Sequence, residues 1–329
     1  MGFDPLTEVL ASVRLTGVVI FSIDGAPPWA AAAPAASTVS ARLMPGAQHV
    51  LELHAVTRGR CLGGLVGEEP VHLEAGDVIC FPHGDAHVMS SGPGLRALPV
   101  DFTMLDGKGA VRQPLSMKLG DGPADVHLVC GFLRCDTRPF SPLLASLPRV
   151  LRASDRDGTT PGWLTRFMEV AEAEARSARP GVDGVLARLS ELMFVEIVRR
   201  HLETLPPDRI GWLAGLRDPH VGKALAAIHA RPGDPWTLDG LGHEAGLSRS
   251  ALAEHFASLV GEPPIQYLSR WRMQIAAGLL TTTHDGVASI AARVGYSSEA
   301  AFSRAFKKVV GAPPASWRTG HLGSGGRRA

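Results

Sequence analysis

Residues 246–264 read GLSRSALAEHFASLVGEPP, and residues 295–314 read GYSSEAAFSRAFKKVVGAPP. Each stretch has a Gly, then a Ser, then apolar residues at helical spacing, and each ends in Val-Gly-x-Pro-Pro. Phe256 and Phe306 are 50 positions apart, as are the two Val-Gly-x-Pro-Pro ends. Self-similarity at such a period indicates one supersecondary unit used twice.

Each unit is predicted to be a helix, a tight turn and a second helix. An Ala-rich helix is expected over residues 238–245 in the first unit and 287–294 in the second. The Gly that follows accepts the left-handed backbone of a tight turn, and the Ser is a good N-cap for the next helix. One copy would fit an ordinary helical hairpin equally well. Two copies favour tandem helix-turn-helix units, whose second helices can lie in the DNA major groove.

Residues 216–319 resemble the AraC-type transcription regulators. The likeness is carried by the two units, by the helix Ile265–Ala276, which is similar to the family's linker helix, and by Ala291–Ser298 with the Phe-Ser-Arg-Ala-Phe-Lys-Lys that follows. The resemblance implies a sequence-specific DNA-binding transcription regulator, acting as an activator. Its implied partners are a double-stranded DNA operator and, for an activator, RNA polymerase.

The resemblance also implies where DNA is contacted. Two recognition helices, beginning near Ser248 and Ser298, would enter successive major-groove segments, with base contacts from each N-terminus and from one turn further along. The candidate base-contacting residues are Arg249, Ser250, Ala253, Glu254, Glu299, Ala300, Ser303 and Arg304. Lys307 and Lys308 are expected to contact phosphates. The aromatic residues predicted to form the core are Phe256, Trp271, Phe302, Phe306 and Trp317.

Charge is unevenly spread along the 329 residues, although the formal net charge is only +1. Residues 215–329 carry 13 Lys and Arg against 8 Asp and Glu, whereas the remainder carries 20 against 24. A basic part joined to an acidic remainder is typical of a DNA-binding module attached to another domain. No apolar run approaches the roughly 18 residues of a membrane helix, and the N-terminus is unlike a signal peptide. We therefore expect a cytoplasmic protein without a membrane partner.

The N-terminal part has the pattern of a β domain. After a short helix over 4–14, a strand over 17–25 and an Ala/Pro loop over 26–36, short alternating runs are separated by Gly, Pro and Asp clusters. The predicted strands cover residues 38–43, 49–56, 61–65, 72–73, 77–81, 86–89 and 126–133. Short, regularly spaced strands predict a barrel or a double-sheet jelly roll.

Residues 76–87, GDVICFPHGDAH, resemble the second cupin motif, which has Gly, five residues, Pro-x-Gly, two residues and His. The first motif is partial, with Glu52-Leu53-His54 where a His-x-His would stand. In such a barrel His54 and His87 can meet in the interior, and Cys130 on the later strand can supply a third metal ligand. Imidazole plus thiolate would suit zinc. The alternatives are a pocket without metal, or a cupin-type metal-dependent enzyme fused to a helical domain.

The cysteines lie in the same domain and are candidates for redox sensing: Cys61, Cys80, Cys130 and Cys135. Four Cys in a chain of this length do not form a disulfide framework. They are either buried small residues or exposed thiols of low pKa that oxidise. Residues 5–150 resemble an AraC-type subgroup with a cupin-like N-terminal domain, which includes a sensor of reactive chlorine. That likeness implies a small ligand, a metal or an oxidant as the signal.

Two helices are predicted between the β domain and the repeat, one ending near Pro180 and one over 182–204. The second is apolar on more than one face, which favours packing on both the barrel and a second subunit of a homodimer. Residues 205–218 are the predicted linker. The chain is thus expected to be an α+β multidomain protein: 1–150 a cupin-like sensor domain, 151–214 a helical dimerisation and linker region, 215–320 an all-α DNA-binding domain with two helix-turn-helix units, and 321–329 a flexible tail.

Overall fold

A computed structural model describes residues 4–12, 14–102, 113–136, 141–156, 162–177, 179–206 and 210–325. The described residues form two compact units, each treated by itself below. One unit, here the barrel unit, takes its residues from 13–136 and 147–204. The other, here the helical unit, takes them from 1–12, 137–146 and 205–329. These units differ from the predicted domain limits, because helices α4 (Trp163–Ser177) and α5 (Val182–Thr204) group with the barrel.

The described residues of the barrel unit form two sheets and three helices. Its strands are β1 (Arg14–Gly25), β2 (Ala30–Ala33), β3 (His49–Arg58), β4 (Arg60–Leu65), β5 (Val71–Glu74), β6 (Asp77–Phe81), β7 (His87–Ser90), β8 (Leu98–Pro99), β9 (Leu115–Leu119), β10 (Val126–Asp136) and β11 (Leu151–Ser154). Its helices are α2 (Ala36–Leu43), α4 (Trp163–Ser177) and α5 (Val182–Thr204). One sheet has the strand order β11-β6-β3-β10-β1-β9, and the other has the order β5-β4-β7-β2-β8.

Alternation along the strands builds the interior of this unit. On β10, Leu128, Cys130 and Phe132 point into a core shared with Phe21 and Phe81. Side chains two apart share a face of a strand, so Glu52 and His54 of β3 also point to one side. The antiparallel register sets Cys130 opposite His54. Pairing of β2 with β7 brings Ala33 opposite His87 of the second sheet.

The structure corrects several local predictions in this unit. Residues 38–43, predicted as a strand, belong to helix α2, in which Ala36 and Val39 are buried three positions apart, the spacing of a helical face. The predicted Ala/Pro loop contains β2, since pairing with β7 overrides the weak strand preference of Ala. Strands β8, β9 and β11 were not predicted. Helix α5 has the predicted bounds, Val182–Thr204.

The helical unit contains the tandem repeat. Its helices are α1 (Pro5–Ser12), α3 (Pro142–Ser146), α6 (Trp212–Arg217), α7 (Val221–Ala230), α8 (Leu238–Ala245), α9 (Arg249–Val260), α10 (Pro264–Thr282), α11 (Val287–Arg293), α12 (Glu299–Val310) and α13 (Pro314–Gly325). Helix α6 lies within the segment predicted as a linker. The predicted tail overlaps the end of α13, and residues 326–329 lie outside the described residues. Within the described part of the chain, no helix is both long and apolar enough to cross a membrane.

The predicted start signals of the two recognition helices are confirmed. Ser248 caps α9 by accepting a hydrogen bond from the Ala251 amide at 3.3 Å, and Ser298 caps α12 through the Ala301 amide at 3.2 Å. Each preceding turn has a left-handed Gly, with φ of 70° at Gly246 and 85° at Gly295. A side chain at Gly295 would also collide with the Gly233 carbonyl, because an added Cβ would lie 2.5 Å from that oxygen.

Candidate nucleic-acid interface and barrel site

The outward faces of α9 and α12 carry most of the predicted DNA-contacting residues. The exposed ones are Arg249, Ser250, Glu254, Glu299, Ala300, Arg304, Lys307 and Lys308. Ala253 and Ser303 are half-buried at matching positions of the two helices. The structure therefore assembles the predicted residues on two outward faces, and their contact with DNA stays a prediction.

The opposite faces of these helices are buried and hold them in place. Phe256 and Leu252 of α9 are fully buried, as are Phe302 and Phe306 of α12. Trp271 is also buried, whereas Trp317 is partly buried against the cluster that contains Phe306. The predicted aromatic core is thus confirmed for the four buried residues. Because apolar packing occupies one face, the polar and charged side chains of α9 and α12 are left for solvent or a ligand.

Helix α10 connects the two helix-turn-helix units, and Arg272 anchors this helix. Its guanidinium donates to the carbonyl oxygens of Pro232 at 2.7 Å and Asp234 at 2.6 Å. Pro232 and Asp234 lie just before α8 of the first helix-turn-helix unit, while the same guanidinium lies over the Tyr296 ring of the second at 5.9 Å. Arg272 therefore links the start of one repeat to the turn of the other, which keeps the two recognition helices in a defined relation.

Inside the barrel unit, Cys130, His54 and His87 form a hydrogen-bonded row. The His54 Nδ1 atom is 2.8 Å from Cys130 Sγ, and His54 Nε2 is 2.7 Å from His87 Nε2. His87 Nδ1 donates to the Asp85 carbonyl oxygen at 2.9 Å, since a carbonyl oxygen can only accept. A neutral His87 therefore has its lone pair on Nε2, so His54 Nε2 donates to it and His54 Nδ1 accepts from the Cys130 thiol.

Both imidazoles are neutral in this setting. Burial lowers the pKa of His54 well below its ordinary value, and the neighbouring His87 lowers it further. Burial likewise lowers the pKa of His87 to about 4. His87 also stacks on Phe81, with ring centroids 3.9 Å apart. Neutral imidazole is the form that binds metal ions.

Glu52 also belongs to this group, although the ligand set predicted from the sequence did not include it. Its side chain is fully buried, and neither carboxylate oxygen has a hydrogen-bond partner among the residues that the structure describes. Burial raises the pKa of Glu52 to about 8. Its Oε2 lies 3.8 Å from His87 Nε2, and one donor atom each from Glu52, His54 and His87 lie within 4.8 Å of one another. The signal was present in the sequence, because Glu52 and His54 are two apart on one strand face.

The geometry favours Glu52 over Cys130 as the third member of the candidate ligand set, and both assignments stay predictions. His54 faces His87 through Nε2 and Cys130 through Nδ1. The two ring nitrogens of an imidazole point in different directions, so an ion held by His54 Nε2 is out of reach of the thiol on the Nδ1 side. Cys130 would then not bind the ion but would hydrogen-bond to His54 and orient its ring. Histidines that bind metal ions commonly have such a partner on their other ring nitrogen.

A mostly apolar cavity of about 40 Å³ adjoins the imidazoles. His54, His87 and Cys130 contribute its polar side chains, and the remaining wall includes Phe21, Met89 and Phe132. This volume is enough for a water-sized guest. The barrel interior therefore combines a small apolar space with one cluster of metal-binding side chains.

All four cysteines are buried, and none forms a disulfide within the described residues. Cys61 and Cys130 belong to the barrel core, whereas Cys80 and Cys135 are buried outside that cluster. Burial raises the pKa of Cys61 to about 12, and it also raises the pKa values of Cys80 and Cys130. The redox hypothesis calls for exposed thiols of low pKa, whereas the four thiols are buried and the pKa values of Cys61, Cys80 and Cys130 are raised.

Comparison with known proteins agrees with both parts of the chain. Residues 4–203 match the family described as Cupin, and residues 241–320 match the family described as Helix-turn-helix domain. An AraC-like transcription regulator of Streptomyces lividans is 33% identical over 96% of this chain and 98% of its own length. The regulator AlkR of Acinetobacter baylyi is 32% identical over 83% of this chain and 89% of its own. The activator RclR of Escherichia coli, named as RCS-specific, is 28% identical over 83% of this chain and 86% of its own.

These relatives are regulators and not enzymes, which sets aside the alternative of a cupin-type enzyme. The resemblance seen in the repeat and in the cupin motif is confirmed over nearly the whole chain. The chain belongs to the AraC-type DNA-binding transcription regulators that have an N-terminal cupin domain and a C-terminal helix-turn-helix domain.

Proposed function

We propose that this regulator reads an operator through α9 and α12 in successive major-groove segments and that its barrel responds to a divalent transition metal. The first part is supported by two capped helices with polar outward faces and buried apolar inward faces. The second part is carried by one observation, the buried Glu52 carboxylate without a hydrogen-bond partner beside two neutral imidazoles. The regulator acts in the cytoplasm, where its DNA lies.

The operator is tested by selecting bound duplexes from a random pool with the full chain and sequencing them. Two short conserved segments about 10 base pairs apart are expected, because one helical turn separates successive major-groove faces. A bound pool without any conserved segment would contradict sequence reading by both helices. The selected duplex then serves in every binding experiment below.

Replacing Arg304 by Ala is expected to cost about 1–3 kcal/mol of binding free energy at one base position, because Arg can bond bidentately to guanine. Affinities of both proteins are measured for the selected operator and for each single-base variant. The loss should vanish on the variant that changes the contacted base. An equal loss on every variant would place Arg304 among the phosphate contacts instead. Ser258→Ala is the control, because Ser258 is an exposed residue of α9. This variant should leave affinity unchanged.

The residues of the barrel fit a metal ion. A buried carboxylate without partners is unfavourable, and a cation would compensate it. Two imidazoles and a carboxylate are an established ligand set for zinc and for other ions of similar softness. Such an ion would supply positive charge that fixes the relative positions of β3 and β7. Glu52 and His54 would hold it from β3, His87 would hold it from β7, and Cys130 would orient His54.

Metal content and operator binding are measured on one preparation of the full chain, before and after a chelator. About one metal ion per chain would support the proposal, provided that operator affinity changes when the metal is removed and returns when zinc is added. The metal would then control operator binding. A separate sample receives hypochlorous acid or peroxide. Unchanged affinity after chelation, together with a change after oxidation, would overturn the metal proposal in favour of an oxidant signal.

We also propose a homodimer formed along α5. Its exposed stripe holds Val185, Arg188 and Leu192, with Val195 and Arg199 continuing it at helical spacing. Val185 is 44% exposed and Leu192 is 54% exposed, which is unusual for large apolar side chains. If two copies of α5 pair antiparallel about Leu192, Arg188 of one copy lies opposite Glu196 of the other. In this pairing Leu192 would contact its own counterpart, and Arg188 would approach a carboxylate that also pairs with Arg200 of its own helix at 2.9 Å.

Leu192→Glu is expected to weaken dimerisation by roughly 100-fold, because two uncompensated carboxylates would meet at the centre of the interface. Sedimentation velocity over a concentration series measures the dissociation constant. Val66→Glu is the matched control, since Val66 is 60% exposed on the turn after β4 and outside the stripe. A Leu192→Glu protein that dimerises like the control would place the interface elsewhere.

The dimer is proposed to activate transcription by contacting RNA polymerase beside its operator. The support is the relative RclR, which is named an activator. Transcription in vitro from a template with the selected operator upstream of a promoter tests the direction of regulation. More transcript with the protein supports activation, whereas less transcript shows repression.

A further inference from the structure

The two helix-turn-helix units of this chain differ sharply in charge. Aligned at the 50-residue period, residues 232–263 carry one Lys or Arg against five Asp or Glu, and residues 282–313 carry four against two. Arg249 is the single cation of the first unit, and its guanidinium lies 3.7 Å from Asp239. The repeat that is preserved in fold is therefore not preserved in electrostatics.

The difference is concentrated on the recognition helices. Glu254 of α9 stands where α12 has Arg304, and both side chains are exposed. In the next turn, α9 has Ala257 and Ser258 where α12 has Lys307 and Lys308. Both lysines are exposed, and Arg304 is on the same helix one turn earlier.

Acidic groups elsewhere in the first unit add to the contrast. Asp239 is 70% exposed and lies on α8, the helix that precedes the turn. Glu244 pairs with Arg231 at 2.7 Å, and Glu262 pairs with Arg270 at 2.9 Å, so these two are compensated by cations. The uncompensated acid nearest the expected groove is Glu254, which would lie beside DNA as a like charge to the phosphates. The first unit thus gains little from phosphate neutralisation.

We infer that the two units divide the work of binding: the α12 unit provides most of the phosphate neutralisation, and the α9 unit discriminates base sequence with little electrostatic help. This inference rests on the proposed function, in which both helices enter the major groove. Phosphate contacts release counterions and make affinity depend on salt, whereas base contacts specify sequence. Glu254 reinforces the division, because an acid in the groove is tolerated only where it can accept from a base such as cytosine.

Salt titrations of operator binding between 50 and 200 mM test the division. Taken as a magnitude, the slope of log affinity against log salt falls by about 0.9 for each lost phosphate contact. The double variant Lys307→Ala/Lys308→Ala is expected to lower it by about 1.8. Arg249→Ala, which removes the cation of the first unit, is expected to lower it by less than about 0.5 while relaxing sequence preference in its half of the operator.

The repeat offers a matched gain-of-contact variant. Ser258→Lys gives the first unit the lysine that Lys308 provides in the second, and both positions are exposed. Its slope is expected to rise by about 0.9, so its advantage over the unchanged protein shrinks roughly 3.5-fold between 50 and 200 mM salt. Thermal unfolding of each variant verifies that the fold is retained.

Two results would overturn the inference. One is a slope loss for Arg249→Ala that equals or exceeds the loss for the double lysine variant. The other is an unchanged slope for Ser258→Lys, which would show that the absent lysine is not the cause of the difference. Failure of the proposed function looks different, because the unmodified protein would then select no sequence at all.

Discussion

Phe306→Ala is expected to lower the free energy of unfolding of the helical unit by about 3–5 kcal/mol, the usual cost of removing a fully buried aromatic ring. Phe306 is fully buried in the cluster that supports α12. Its ring centroid lies 5.6 Å from that of Phe302 and 6.3 Å from that of Trp317. Loss of the ring would leave a cavity below the recognition helix, so DNA affinity should fall together with stability.

Denaturant unfolding followed by tryptophan fluorescence measures this loss, since Trp317 packs against the same cluster. Ile265→Ala is the control, because Ile265 is 40% exposed on α10 and should change stability by no more than about 0.5 kcal/mol. A loss below about 1 kcal/mol for Phe306→Ala would mean that α12 does not depend on this cluster.

His87→Ala is expected to reduce the metal affinity of the barrel by more than about 100-fold, because removal of a ligand exceeds the 10–100-fold effect of an outer partner. Glu52→Gln should act in the same direction, since it removes the negative charge that the cation compensates. The measurements are metal content after dialysis and competition with a chromophoric chelator. His72→Ala is the control, because His72 is an exposed histidine of the same unit.

Cys130→Ser separates the two ligand sets. If Cys130 only orients His54, affinity should fall by about 10–100-fold, and cobalt bound in place of zinc should show no thiolate charge-transfer absorbance in the unmodified protein. A thiolate band in the cobalt protein would return Cys130 to the ligand set. Retention of full metal affinity by both His87→Ala and Glu52→Gln would place any bound metal outside this cluster.

Sequence patterns predicted local structure correctly where all the residues responsible lie within one short segment of the chain. Ser248 and Ser298 cap α9 and α12 as predicted, because a cap needs only an oxygen and an amide three positions later. The bounds of α5 were likewise readable from its helical spacing and from Pro206, which cannot continue a helix. Helix α2 was misjudged as a strand, because six residues of mixed polarity fit either period and their packing decided between them.

The barrel site shows the opposite case. His54 and His87 were predicted to meet, and they do, at 2.7 Å between their Nε2 atoms. The place of Glu52 depends on the pairing of β3 with its neighbours, and the preference for Glu52 over Cys130 depends on which imidazole nitrogen faces which group. Neither ring orientation nor a buried carboxylate without partners is visible in a linear pattern.

Patterns along the chain were enough to establish the tandem helix-turn-helix units, the membership in the AraC-type regulators and the unequal charges of the two recognition helices. These follow from repeat spacing, capping residues and side-chain type, which are local properties of the chain. The fold was needed to show that Glu52 lies beside His54 and His87, that the cysteines are buried, and that α5 leaves an apolar stripe exposed. Those features depend on strand register and on which faces other elements cover, and such contacts join residues far apart in the chain.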